Sequence, residues 1–303
     1  MAQQDFSHAT VMLEEAVEGL AVKPDGVYVD CTMGGAGHTR RILQELGPQG
    51  RIIAFDQDKD AWINKPDDER VILVQENFRY LKRFLRLHGI TAVDGILADL
   101  GVSSYQFDTG ARGFSIRFDG PLDMRMDDRL ELTAKDIIDT YSEERLHKLF
   151  ERYGEVRNAK QLAKQIVAGR GKASVYTTDD LKSLIDPVIK GPQHRYLAQV
   201  FQALRIEVND ELGALRELLE QSVQCLKPEG RLSIISFHSL EDRLVKQFMK
   251  NGAWDVTEDP LGLAPRQRSP FRELTKKPVE PTEQEQKNNT RARSAKLRVA
   301  EKI

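Results

Sequence analysis

The chain has 303 residues, enough for one large domain or two ordinary ones around an apolar core. It is 40% hydrophobic and 30% charged with a formal net charge of −2, so it reads as a soluble globular protein whose overall charge does not mark a nucleic-acid binder. Any RNA contact must come from a local basic surface. The two cysteines, Cys31 and Cys225, give neither a disulfide framework nor a CxxC metal pair, and they fit a reducing cytoplasm. The N-terminal MAQQDFSHAT lacks a signal-peptide pattern, and no apolar run nears the ~20 residues of a membrane span.

In chain order, a β-rich run, Gly26–Asp30, ends in a glycine-rich turn, and a helical stretch follows at Thr39–Leu46. Strands are predicted at Arg51–Phe55, Val71–Gln75 and Asp94–Ala98. Strands alternating with helices imply a doubly wound parallel sheet, which binds ligands at the carboxyl ends of its strands. From about Asp108 to Pro192 strand signals vanish. Thr133–Asp136 reads as a capping box, and Ser142 and Thr178 as caps of further helices. A long helical pattern then runs from about Val200 to Cys225, a strand from Arg231 to Phe237, and Ser239–Asp242 reads as a capping box opening another helix. The expectation is one α/β domain, residues 1–107 and 200–303, interrupted by an all-helical insert at 108–199. The Arg266–Arg298 tail, with ten basic and four acidic side chains, reads as extended rather than packed.

Four segments carry candidate chemistry. In DCTMGGAGHT (Asp30–Thr39) the glycines allow a sharp strand-to-helix turn and close approach of a ligand to the backbone. Asp56, at the end of the next strand, stands 19 residues beyond Gly37, where an acid accepts from ribose hydroxyls. This pattern suits NAD or S-adenosylmethionine, but Arg40 follows Gly35-Ala-Gly37-His-Thr, and the third glycine of a dinucleotide fingerprint is missing. In ADLGVSSYQFD (Ala98–Asp108), Asp99 either meets cofactor and substrate or caps a turn. RGFSIRFDGPLDMRMD (Arg112–Asp127) suits no regular element and is either a functional loop or an ordinary surface one. In ISFHSLEDR (Ile235–Arg243), His238 follows directly on a strand end.

Together these segments resemble the RsmH (MraW) family of 16S rRNA cytosine-N4 methyltransferases. The resemblance starts at HATVMLEEAVEGL (His8–Leu20) and takes in AFDQD (Ala54–Asp58), ENF (Glu76–Phe78), FQALRIEVNDEL (Phe201–Leu212) and TRARSAKLRVAE (Thr290–Glu301). It implies a Rossmann-like class I methyltransferase sheet with an inserted all-helical domain that recognises RNA. It further implies that Gly34, Gly35, Ala36, Gly37 and His38 hold the methionine and ribose part of S-adenosylmethionine. Asp56 would bind the ribose, Phe78 would lie against the adenine, and Asp99 and Gln106 would complete the pocket near the transferring methyl. The partner would be 16S rRNA within the small ribosomal subunit, with no membrane, and a homodimer is an admissible assembly. The sequence departs from the family pattern at Thr10 and Tyr105, where proline is usual, and across His194–Phe201.

The chemistry needs an amine held in line with a sulfonium methyl. Cytosine's amino lone pair is delocalised into its ring, so acceptors must turn the amine, and the base must leave any stack. The candidate acceptors are Asp99 and its loop, Asp119, Asp123 and His238. No metal-ligand cluster is called for. An NAD-dependent oxidoreductase and a non-catalytic RNA-binding protein are the competing readings.

Overall fold

The computed structural model describes residues 10–103, 106–107, 110–172, 174–254 and 269–303. It divides into two units, Met1–Gly101 with Leu212–Ile303, and Val102–Glu211. No helix among the described residues is long and apolar enough to cross a membrane.

The first unit holds β1 (Val27–Asp30), β2 (Arg51–Phe55), β3 (Val71–Val74), β4 (Val93–Asp99), β5 (Leu226–Ser236), β6 (Phe271–Glu273) and β7 (Lys296–Lys302). They form one seven-stranded sheet in the order β3-β2-β1-β4-β5-β7-β6. The first five strands are parallel, and β7 runs antiparallel to both β5 and β6. This is a doubly wound, Rossmann-like sheet, as expected. Its strand order reverses between β1 and β4, and such sheets open a ligand crevice at that point.

Strands buried on both faces alternate their side chains between two cores. Val29, Ile53, Phe55, Ile96 and Ala98 pack with Leu81 and Leu85 of α3 (Leu81–Leu87), Leu218 of α9 (Glu211–Cys225) and Phe248 of α10 (Ser239–Asn251). Tyr28, Ile52, Ala54 and Leu97 face the other way, onto Val17 and Leu20 of α1 (Leu13–Leu20) and Ile42 of α2 (Gly37–Glu45).

The second unit has its own core, built on α4 (Ala134–Thr140), α5 (Glu143–Gly154), α6 (Ala159–Arg170), α7 (Thr178–Ile185) and α8 (Gln193–Asn209). It is wider than the expected 108–199 because α8 continues ten residues past 199 and packs Val200, Phe201, Leu204 and Val208 into the helical core. Thr133 opens α4 with the anticipated capping box, and Ser142 caps α5.

Four local expectations are corrected. Thr177, not Thr178, caps α7, because its side chain accepts from the Asp180 N–H while Thr178 is already helical. The continuous helix over Val200–Cys225 breaks at Asp210, which adopts a left-handed φ of 46° between α8 and α9. His238 rather than Ser239 caps α10, paired reciprocally with Glu241. From Ser269 onward the tail is packed, not extended. Its β7 carries buried Leu297, Val299 and Ala300 into the sheet, and α11 (Glu283–Asn288) precedes it. Arg298 is 4% exposed and donates to both carboxylate oxygens of Asp242, at 2.6 and 3.2 Å. Arg298 therefore serves the fold, while Arg266 and Arg268 lie outside the described residues.

Candidate active site

The register sets Asp30, the last residue of β1, level with Ala54 of β2 and Leu97 of β4. Asp56 and Asp99 each lie two residues further on, so both sit beyond the edge where the strand order reverses. Asp30 is fully buried and organises the turn. One oxygen accepts from the Thr32 N–H at 3.1 Å, and the other from the Thr39 hydroxyl at 2.6 Å. The Thr32 hydroxyl in turn accepts from the Asp99 N–H at 2.7 Å.

The glycine loop is fastened from outside rather than by its own side chains. Gly34 (φ 48°) donates its N–H to Asp56 Oδ2 at 2.8 Å and accepts from Asn64 Nδ2 at 3.0 Å. Arg40 donates to the Gly35 carbonyl at 2.6 Å. A Cβ placed on Gly35 would meet nothing within 4 Å, so open space lies before it. On Gly37 a Cβ would fall 1.8 Å from the Thr10 hydroxyl, so the threonine standing at the family's usual proline position presses directly on that glycine. Ala36 takes a left-handed φ of 60° with no side-chain cap, leaving the first amides of α2 to an outside acceptor.

His38 turns inward. It is 3% exposed, and its Nε2 lies 3.2 Å from the Val11 carbonyl. Burial lowers the ring's pKa against the opposing charge of Asp30, so the neutral ring donates to Val11. The side chain thus ties the loop to the segment before α1, and any cofactor contact from His38 falls to its backbone.

Asp56 accepts from Gly34 and from the Asp58 N–H at 2.8 Å, one bond per oxygen. Each oxygen keeps a further acceptor position for a hydroxyl. Burial pushes its pKa up to about 7; the two N–H groups pull it down, and Asp58 and Asp30 add repulsion. Phe78 begins a short 3₁₀ turn after β3, capped by Asn77, whose amide donates to Gln57 at 2.7 Å. It is half-buried against the α3 side of the sheet.

Asp99 Oδ1 is buried without a hydrogen-bond partner, a trait it shares among the candidates with His238 Nε2. Burial raises its pKa well above the ordinary carboxylate range, and the carboxylates of Asp30, Glu241 and Glu285 raise it further. A buried polar atom without a partner carries a desolvation penalty that a ligand's donor can offset.

His238 is held by its capping role: Nδ1 accepts from the Glu241 N–H at 3.4 Å, and Nε2 stands 3.3 Å from Glu241 Oε1. Glu241, 2% exposed, also accepts from the Phe237 N–H at 2.8 Å.

The other candidates belong to the helical unit. Gln106 is 4% exposed and its side-chain oxygen accepts from the Ser103 N–H at 2.9 Å, folding its loop on itself; Tyr105 lies outside the described residues. Asp123 is gripped by Arg125 through two bonds of 2.8 Å. Burial pushes Asp123 up, but Arg125 brings it below the usual range. Asp119 accepts from the Asp179 N–H at 2.9 Å and the Thr178 hydroxyl at 3.1 Å, tying its loop to the start of α7. The Asp179 N–H leads in holding its pKa low. The irregular Arg112–Asp127 segment is thus an ordered loop, anchored further by Asn209, which bonds the Met126 N–H and the Met124 carbonyl at 2.7 and 2.8 Å.

Sequence reasoning missed Thr10, Thr32, Asn64 and Asn209 as fasteners. All act across the fold, and only the small-residue pattern around Gly37 hinted at a close approach.

Comparison with known proteins decides the family. The profile of the MraW methylase family matches residues 5–303. The chain belongs to this family. A ribosomal RNA small subunit methyltransferase H from Flavobacterium psychrophilum is 54% identical, over 96% of this chain and 100% of that one. Another so named, from Flavobacterium johnsoniae, is 52% identical over 98% of each chain. Among solved structures, an rRNA methylase from Streptococcus thermophilus aligns at a TM-score of 0.44 and 12% identity, over 98% of this chain and 99% of that one. Membership in this methylase family agrees with S-adenosylmethionine as the expected cofactor.

Proposed function

We propose that the protein transfers a methyl group from S-adenosylmethionine to the exocyclic N4 amine of a cytidine in the decoding region of 16S ribosomal RNA, within the small subunit and in the cytoplasm. The observation that carries this reading is the unpartnered, buried Oδ1 of Asp99 at the point where the strand order reverses. The relatives' naming as small-subunit ribosomal RNA methyltransferases supports the RNA class.

The strand-end residues fit the cofactor. Asp56 offers free acceptor positions to ribose hydroxyls, Gly35 leaves open space, and the uncapped amides of α2 suit a carboxylate. Phe78 is the apolar wall for an adenine. The bound cofactor supplies an electrophilic methyl on a sulfonium. Asp99 Oδ1 would accept from the target amine and so orient its lone pair for transfer. After transfer the methylated, positively charged amine releases its extra proton to solvent water, so Asp99 acts by holding and orienting and need not be a strong base. His238 caps α10, and Asp123 stays with Arg125; neither is assigned to the amine.

Gln106 is proposed as a positioning residue for the loop that follows β4. The helical unit is proposed as the RNA-recognition module. Its support is a run without acidic residues between Glu155 and Asp179, on which Arg157, Lys160, Lys164 and Lys172 are exposed.

The test is to incubate the protein with methyl-labelled cofactor and undermethylated small subunits, digest the RNA and identify the labelled nucleoside by mass spectrometry. Labelled N4-methylcytidine is expected. Label on another position, or none, overturns the reading.

A further inference from the structure

The opposite end of the sheet carries a second feature that methyl transfer does not use. A cavity of about 350 Å³ opens between α3 and the junction of α9 with β5. Its floor is Leu85, Ile90 and Cys225, and its polar lining is Lys82, Arg86, Gln224 and Thr91. Thr91 and Cys225 directly precede the regions where β4 and β5 begin, whereas Asp99 ends β4. The length of β4 therefore separates the cavity from Asp99 by roughly 20 Å.

From Arg79 to His88 there are four Arg and Lys residues and no acid, in a protein of net charge −2. Arg79 is spoken for by Glu217 at 2.6 Å. Among the described residues, Lys82, Arg83 and Arg86 have no carboxylate partner: Lys82 reaches the neutral amide of Gln224, and Arg83 lies over the Phe84 ring. Arg41, by contrast, pairs with Glu14 and Glu45, and Arg70 with Asp68. Lys82 and Arg86 stand four apart on one helix, a spacing at which like charges weaken the helix. Burial pushes the Cys225 thiol up, and the charges of Lys82, Lys302 and Arg86 oppose the rise; of these, Lys82 and Arg86 line the cavity.

We infer that this cavity binds a phosphate-bearing nucleotide of the RNA substrate, its base on the Leu85–Ile90–Cys225 floor and its phosphate between Lys82 and Arg86. The size falls in the range of small-ligand pockets, about 300–1,000 Å³, and an apolar floor under paired cations suits a base joined to an anion. Exposed Arg83 adds a cation outside the cavity, as a strand of successive phosphates requires and a single free anion does not. The inference rests on the RNA-substrate reading and adds a contact remote from the methyl-transfer site.

The experiment compares the parent with the double variant Lys82→Gln, Arg86→Gln. It measures affinity for small-subunit RNA at several salt concentrations, affinity for cytidine 5′-monophosphate, and affinity for S-adenosylmethionine. The expected result is RNA binding about ten-fold weaker at low salt, with a log–log salt slope shallower by about one to two units and cofactor affinity unchanged. Parallel salt plots overturn the inference, and do so while leaving the methyltransferase reading intact if the parent still methylates subunits. Loss of nucleotide binding with parallel RNA plots also overturns it, because the cavity then serves a free nucleotide. A parent that neither binds nor methylates ribosomal RNA sinks both readings together. Should the double variant fail to fold, Thr91→Trp, at an exposed position on the cavity, blocks it without removing charge and is expected to weaken RNA binding as well.

Discussion

Two regions of this chain present carboxylates in loops, and they do opposite things with them. At the strand ends of the α/β unit, Asp56 is raised to about 7, burial raises Asp99 well above the ordinary carboxylate range, and Asp99 keeps a buried oxygen unpartnered. In the Arg112–Asp127 segment of the helical unit, Asp119 and Asp123 are lowered, and every bond described for them stays within that unit. Acids that hold a fold together are satisfied by it. An acid that the fold leaves buried and unmet is kept at a cost, and a ligand's donors can offset that cost.

The largest effect expected from this contrast is at Asp99. Asp99→Asn replaces an acceptor with an amide that also points donors at the target amine. A loss of roughly 100-fold or more in methyl transfer is expected. Single-turnover rates at saturating cofactor check it, and a rate within a few-fold of the parent would place the amine's acceptor elsewhere.

Asn209 tests the other region. Asn209→Ala strands the Met126 N–H and the Met124 carbonyl, both now bonded within the helical unit. A loss of about 2–4 kcal/mol in stability is expected, read by denaturant unfolding. An unchanged midpoint would mean the loop is not anchored through this residue.

Asp56 gives a pH signature. Its folded pKa, about 7, lies above the ordinary carboxylate value. The folded protein therefore binds the extra proton, and this group's contribution to stability is full below about pH 4 and lost as pH rises through about 7. Ribose hydroxyls are better held by the ionised form, so cofactor affinity runs in the opposite sense. It should weaken as pH falls below about 7, approaching ten-fold per unit. Calorimetric titration of the cofactor from pH 5 to 8 measures this, and Asp56→Asn should flatten the profile. A parent profile already flat over that range would remove Asp56 from the ribose.

The smallest effect is expected at Asp123. Its pair with Arg125 is partly solvated, with side chains 27% and 24% exposed. Asp123→Asn should cost about 1 kcal/mol of stability and leave the methylation rate within a few-fold. A collapse in rate with stability preserved would restore Asp123 as a functional acid.

Much of the α/β unit was legible because its strands are short apolar runs that end in Asp30, Asp56 and Asp99, each followed by a turn. The tail strand β7 was not. It is buried along nearly its whole length, so it shows no alternation, and its partner β5 lies some sixty residues earlier. The break at Asp210 carries no glycine or proline to announce it. His238 escaped as a cap because capping rules favour Ser, Thr, Asp and Asn, whereas here an imidazole nitrogen accepts the bond.

The distinction between the two sets of acids was partly written in the sequence. Asp68, Asp123 and Asp127 each have an arginine two residues on, and in each case that arginine folds back onto the carboxylate. Asp99 is followed by Leu, Gly and Val, with no local cation to claim it. What stayed illegible was burial: nothing in the spacing says that Asp99 Oδ1 lies out of water.

The most direct test of the central claim is a side-by-side single-turnover assay of the parent, Asp99→Asn and Asp123→Asn on purified small subunits, reading N4-methylcytidine by mass spectrometry at saturating cofactor. The account predicts that product formation falls by two orders of magnitude or more in the Asp99 variant and by no more than a few-fold in the Asp123 variant. Equal losses in both variants, or a larger loss at Asp123, would contradict it.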